Sequence, residues 1–147
     1  VCALTAMGLL CLPYMEKRAH IVNMASQAAF QPLPYQNIYS STKAYVRNYT
    51  RALNRELRSR GICATAVCAG WMETRLIERA SIGAKKGTTK FPHITSPDVV
   101  AKKAFRDAKK NKDMSIYGGY VKLAHLLAKF LPQKTMMSMW LSQQDIK

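Results

Sequence analysis

Several features that define other protein classes are missing from this 147-residue chain. No apolar run approaches the roughly 18 residues that a membrane-spanning helix needs, so we expect no transmembrane segment. The four cysteines form no CxxC pair and do not cluster with histidine, so we expect no metal site, no disulfide framework and a reduced, cytoplasmic setting. Gly-x-Gly occurs nowhere in the sequence, so the usual phosphate-binding turn of nucleotide sites is lacking.

Acidic residues are also scarce. The chain has 8 Asp and Glu against 23 Lys and Arg, for a net charge of +15. Such an excess can indicate a nucleic-acid or anionic partner. Here the basic residues are scattered over several predicted helices rather than gathered in one run with aromatic residues between them, so we expect no nucleic-acid partner.

The composition, 48% hydrophobic and 21% charged, is that of a globular domain or part of one. The apolar pattern predicts a βαβ unit, in which a strand at His20–Met24 and a strand at Ile62–Cys68 flank a long amphipathic helix, Asn37–Arg60. Both strands lack strict alternation, so we expect a parallel sheet with the strands covered on both faces. The opening segment, Val1–Met15, is predicted to be a buried helix.

The second half of the chain continues the alternation of helices and strands. Its predicted elements are a short helix at Glu73–Arg79, a mobile loop at Ser81–Thr95, a helix from Pro97 to Lys112 capped by Ser96, a strand at Met114–Tyr117, and helices at Val121–Leu131 and Lys134–Leu141. The last two helices are amphipathic with lysines at their edges. Membrane-surface contact is therefore conceivable, although core or dimer packing is the more usual meaning of such a pattern.

Three polar residues carry the chemistry that the pattern suggests. Ser26 follows the first strand, and Tyr39 and Lys43 are one turn apart on the long helix, so they share a face. A nearby ammonium favours the ionised form of a tyrosine and makes it a better base. This grouping could move a proton to or from a substrate hydroxyl or carbonyl during hydride transfer. A Tyr-x-x-x-Lys pair alone is equally typical of a solvated helix face, so the order of the surrounding elements decides between the two interpretations.

With its context, the segment from Ile21 to Thr74 resembles the C-terminal half of a short-chain dehydrogenase/reductase, and the likeness extends over nearly the whole chain. That family has a serine, a Tyr-x-x-x-Lys pair about a dozen residues later, and a Pro-Gly-x-x-x-Thr turn after the next strand. Ser26, Tyr39 with Lys43, and the turn from Ala69 to Thr74 match this order, with alanine in place of the proline. The resemblance implies half of a doubly wound, Rossmann-type parallel sheet, with about three strands and flanking helices.

The resemblance also implies a cofactor and roles for individual residues. Tyr39 would be the acid/base, Ser26 would hydrogen-bond the reacting oxygen, and Lys43 would bind the ribose hydroxyls of NAD or NADP. The remaining cofactor contacts would come from the turn after the second strand, at Gly70, Trp71, Met72 and Thr74. The segment from Arg75 to about Thr95 would close over an alcohol or carbonyl substrate.

Two of the family's features have no counterpart in this sequence. These are the glycine-rich phosphate turn and the catalytic asparagine that precedes the first helix. We therefore expect residues 1–147 to be the catalytic half of one NAD(P)-binding domain, a truncated fragment with little activity alone. An alternative is a non-catalytic module that associates through its long helices, Leu4–Met15 and Asn37–Arg60, which the resemblance also implies as a homo-oligomer interface.

Overall fold

A parallel sheet of three strands organises the chain in the computed structural model, which describes residues 1–80 and 90–146. The strands are β1 (His20–Met24), β2 (Cys63–Cys68) and β3 (Met114–Ile116), and their order in the sheet is β1-β2-β3. His20 lies opposite Cys63 in the first pair, and Ala66 lies opposite Met114 in the second. The prediction of an α/β fold with about three parallel strands is confirmed.

The described residues form six α-helices. They are α1 (Cys2–Cys11), α2 (Asn37–Glu56), α3 (Arg75–Ala80), α4 (Pro97–Lys109), α5 (Gly119–Phe130) and α6 (Gln133–Gln143). Of these helices, α2 and α4 pack on the sheet. Short 3-10 turns follow α1, β1 and α2, at Leu12–Tyr14, Gln27–Phe30 and Leu57–Arg60. The predicted loop Ser81–Thr95 lies largely outside the described residues.

Local signals in the sequence explain where the helices begin and end. The Ser96 hydroxyl accepts a hydrogen bond from the Asp98 amide at 3.3 Å, and Pro97 opens α4, as predicted. Gly61 has a φ of +67°, a left-handed conformation that favours glycine, and it turns the chain from the end of α2 toward β2. The last turn of the predicted helix Asn37–Arg60 is 3-10 rather than α-helical.

The core lies around β2, the central strand, in which every residue is buried. One face of α2 packs on it, and a buried hydroxyl links α2 to the neighbouring strand. Thr50 is fully buried. Its hydroxyl donates to the Val46 carbonyl at 2.7 Å and accepts from the side-chain amide of Asn23 at 2.9 Å. These bonds satisfy the polar groups that burial takes away from water.

One of two predictions about burial was wrong. The helix predicted at Val1–Met15 ends at Cys11, and none of its residues is buried: Leu9 and Leu10 are 60% and 67% exposed. β1 is covered on both faces, as predicted, because Ile21 packs with Leu53 on the α2 side and Val22 packs with Val100 on the α4 side, although His20 and Met24 at its ends are exposed. α1 touches the core through the half-buried Leu4, but most of its side chains do not receive the cover that their apolar composition suggested.

A buried carboxylate fastens α4 to the far edge of the sheet. Asp107 accepts hydrogen bonds from the Ser115 hydroxyl at 2.7 Å and the Lys112 ammonium at 2.9 Å, and it also pairs with Lys103. Burial raises the pKa of this carboxyl, but the three donors outweigh burial and hold the pKa well below its usual range.

Candidate active site

The predicted site residues converge at the carboxyl ends of β1 and β2, the edge where open α/β sheets bind ligands. Ser26 follows β1 by two residues and caps the 3-10 turn Gln27–Phe30. Its hydroxyl oxygen accepts a hydrogen bond from the Ala28 amide at 3.2 Å. Because the oxygen is the acceptor in this bond, the hydroxyl hydrogen can be offered to another oxygen.

Tyr39 and Lys43 lie on the first turns of α2 and face the same region. The Lys43 Nζ lies 5.8 Å from the centre of the Tyr39 ring and donates a hydrogen bond to the Met24 carbonyl at 2.8 Å. Burial lowers the pKa of Lys43, an effect that the nearby Cys68 partly opposes. The ammonium is therefore held between the end of β1 and the tyrosine.

An open cleft of about 520 Å³ adjoins these residues. Its wall includes every residue predicted for the site except Lys43, namely Ser26, Tyr39, Gly70, Trp71, Met72 and Thr74. Lys43 lies behind the wall and reaches it through the Met24 carbonyl, since Met24 also lines the cleft. The geometry thus brings a serine hydroxyl and a phenol to one space, with an ammonium behind its wall.

The segment after β2 is held extended along the cleft. Met72 pairs with Thr95 in an isolated parallel bridge, and the Thr95 amide donates to the Trp71 carbonyl at 3.0 Å. Gly70 is tightly enclosed at the start of this segment, because a Cβ there would lie 3.1 Å from Cγ2 of Val121 on α5. A glycine at this position lets the chain pass close to α5.

Sequence reasoning missed part of the wall. Trp140, on α6, closes one side of the cleft, and its indole N–H donates to the Pro34 carbonyl at 3.1 Å. More than a hundred residues separate these two groups, so no local pattern could have joined them. Gln27 also lines the cleft, and its Oε1 is buried with no hydrogen-bond partner among the described residues. Its position directly after Ser26 was the one signal that could have indicated it.

The described ranges 1–80 and 90–146 lack two other features. No three His, Cys, Asp or Glu residues there lie close enough together to hold a metal ion. The same ranges contain no helix with the length and apolar character needed to cross a bilayer.

Solved structures share the fold. A 7beta-hydroxysteroid dehydrogenase superposes with a TM-score of 0.71 at 18% identity, over 95% of this chain and 52% of that one. An actinorhodin polyketide ketoreductase with NADPH gives a TM-score of 0.56 at 25% identity, over 80% of this chain and 51% of the other. The fold is therefore of the Rossmann-like α/β class.

The family model for short chain dehydrogenase matches residues 2–84, more than half of the chain. The chain belongs to the short-chain dehydrogenase/reductase family, as the resemblance predicted. Its relatives include an uncharacterized oxidoreductase of Staphylococcus epidermidis, 34% identical over 77 residues, which are 51% of this chain and 34% of that protein. Very-long-chain 3-oxoacyl-CoA reductase-B of Danio rerio is 38% identical over 78 residues, 52% of this chain and 24% of the relative. The matched part thus spans about a quarter to a third of these relatives.

Proposed function

We propose that this chain is the catalytic half of an NAD(P)-dependent oxidoreductase that interconverts an alcohol and a carbonyl compound, with Tyr39 as the acid/base. The observation that carries the proposal is the shared cleft. Ser26 and Tyr39 both line it, and the Lys43 ammonium is 5.8 Å from the Tyr39 ring. Reductases among the relatives, and solved neighbours determined with NADPH, support the same reaction class.

The residues of the cleft fit the nicotinamide end of such a cofactor. The hydroxyls of Ser26 and Tyr39 and the Lys43 ammonium behind the wall provide donors for ribose hydroxyls and a carboxamide, and the backbone at Met72, which is paired with Thr95, provides one side of the cleft. Lys43, Gly70, Trp71, Met72 and Thr74 would hold the cofactor, together with Tyr39. NAD or NADP, when bound, supplies or receives the hydride.

The protein's own part in the reaction is to hold and move a proton. Tyr39 donates its phenolic proton to the carbonyl oxygen when the substrate is reduced, and removes the hydroxyl proton when an alcohol is oxidised. Ser26 donates a hydrogen bond to the same oxygen and fixes its position, since its own oxygen is already anchored by the Ala28 amide. The positive charge of Lys43 favours the negative charge that develops on the phenol oxygen of Tyr39 during proton transfer.

The experiment uses the full-length protein, because we propose that residues 1–147 carry only part of the cofactor site and turn over little alone. Tyr39→Phe removes the proton donor and keeps the ring, so kcat should fall by about 100-fold or more. Tyr45→Phe is the matched control on the same helix. Tyr45 lies outside the cleft and bonds Thr5 at 3.0 Å, so its loss should leave kcat unchanged.

Two results would contradict this proposal. One is a Tyr39→Phe enzyme with the kcat of the wild type, which would remove Tyr39 from the chemistry. The other is robust NADPH-dependent carbonyl reduction by the 147-residue chain alone, which would show that the fragment holds a complete site.

A second candidate function, a module that associates through its helices, rests on the exposure of α1. Met7, Leu9 and Leu10 are each more than half exposed, and none of the residues of α1 is buried. We propose that the segments Leu4–Met15 and Asn37–Arg60 form a homo-oligomer interface. Tyr39→Phe separates the two functions, because it should abolish turnover of the full-length protein and leave its association, measured by sedimentation velocity, unchanged.

A further inference from the structure

The helix α5 is apolar on two opposite faces. Its inner face packs into the core through Val121, which is 5% exposed, and through His125, whose ring lies 4.4 Å from that of Phe30. Its outer face presents Leu123, Leu126 and Phe130, which are 55%, 50% and 76% exposed. Their spacing of three and four residues places them in one stripe. A surface helix usually turns polar residues outward, so this stripe requires a partner.

The lysines of α5 and α6 are their only acidic or basic side chains apart from His125, so these two helices carry charge of one sign. Lys122 and Lys129 are exposed beside it on α5, and Lys134 is exposed at the start of α6. The sequence from Met114 to Gln144 contains no Asp or Glu. We call the three apolar residues and these three lysines the α5 surface.

We propose that the α5 surface binds an anionic lipid bilayer peripherally. Leu123, Leu126 and Phe130 enter the boundary between headgroups and acyl chains, while the lysines extend their ammonium groups to the lipid phosphates. This orientation suits a helix that lies on a membrane without crossing it, since α5 has only 12 residues.

The positive charge of the α5 surface favours an anionic bilayer over other occupants of that surface. A second protein copy docking on leucine and phenylalanine does not require a surface free of acidic residues, whereas an anionic membrane is attracted by each lysine and repelled by each carboxylate. The helix α1 shows the contrast. It exposes Leu9 and Leu10 as well, but it carries no charged residue at all, which is the pattern of a protein interface.

The helix α4 provides a matched control. It exposes Phe105 at 61%, with basic residues nearby, but Asp98 lies on the same exposed side and the helix has no stripe of large apolar residues like that of α5. Phe105 is 61% exposed against 76% for Phe130, so removing its phenyl ring also takes away a large exposed apolar group, without changing the α5 surface.

The test is co-sedimentation of the full-length protein with phosphatidylcholine vesicles, with and without phosphatidylglycerol. The wild type should bind the anionic vesicles, and added salt should weaken the binding. The double variant Leu126→Gln, Phe130→Gln, and separately the triple variant Lys122→Gln, Lys129→Gln, Lys134→Gln, should each bind at least about tenfold more weakly. Phe105→Gln should bind like the wild type.

Binding does not depend on catalysis, so this test stands apart from the proposed reaction. Failure of the wild type to sediment with anionic vesicles would overturn the proposal. Equal binding by the α5-surface variants would overturn it too, because the contact would then lie elsewhere. If instead the Leu126 and Phe130 variants dissociate an oligomer in sedimentation velocity and the wild type binds no vesicles, the surface belongs to a second copy of the chain.

Discussion

The helix α1 is more apolar than α4, yet α4 is the more deeply buried of the two. α1 contains no charged residue, yet none of its side chains is buried. α4 contains six charged residues, yet it buries Val100, Ala104, Asp107 and Ala108. The reason is position, because α4 contacts all three strands, whereas α1 makes no comparable contact with a strand in the described part of the chain and lies beside α2, where a Cβ on Gly8 would be 3.1 Å from the Tyr49 hydroxyl. Apolar composition therefore indicates that a surface will be covered, but not that this chain's own core covers it.

The largest effect should come from the buried charge of α4. Asp107→Ala removes the acceptor of three hydrogen bonds and leaves the buried Ser115 hydroxyl without its partner. We expect the free energy of unfolding of the full-length protein to fall by about 3 kcal/mol. Chemical denaturation measures this loss.

The control is the exposed pair on the neighbouring loop. Asp113 pairs with Arg51 at 2.7 Å, but both side chains are about 45% exposed, so Asp113→Asn should cost less than about 1 kcal/mol. Equal losses for the two variants would show that burial of Asp107 does not matter.

A smaller loss of stability is expected when a side chain on the buried apolar face of α4 is truncated. Val100 is 3% exposed against Val67 and Ala69, so Val100→Ala should lower the free energy of unfolding by about 2 kcal/mol. Leu10→Gln on α1 removes a larger side chain that is 67% exposed, and should change the unfolding free energy of a dissociated protomer by less than about 0.5 kcal/mol. Both variants are measured at protein concentrations low enough for protomers to be dissociated. A larger loss of unfolding free energy for Leu10→Gln than for Val100→Ala would then contradict the account.

The pH dependence of stability should also differ between the helices. The donors around Asp107 hold its folded-state pKa below the unfolded value of about 3.9, so its stabilising effect is complete above that pH and is lost as the pH falls further. The stability difference between the wild type and Asp107→Asn should therefore shrink below about pH 4. α1 has no titratable carboxylate or ammonium side chain, so Leu10→Gln should show a constant difference over the same range.

Local patterns were sufficient for the order of the elements and for the meeting of Ser26 and Tyr39 at one edge of the sheet, whereas Trp71, Met72 and Thr74 were implied only by the family resemblance. Ser26 follows a strand, and Tyr39 opens a long helix, so both were bound to reach the same edge of a parallel sheet. Trp140 could not be foreseen, because its place in the wall depends on how α6 packs back on Leu33 and Ala28. The exposure of α1 was equally out of reach, since a run of leucines looks the same whether it meets the core or another chain.

The central claim, hydride transfer at the cleft, is tested most directly with NADH and NADPH deuterated at the nicotinamide C4. The full-length wild type, incubated with a carbonyl substrate, should place deuterium on the carbinol carbon of the product, and Tyr39→Phe should slow that transfer by about 100-fold or more. A product without deuterium, or transfer by Tyr39→Phe at the wild-type rate, would contradict the account.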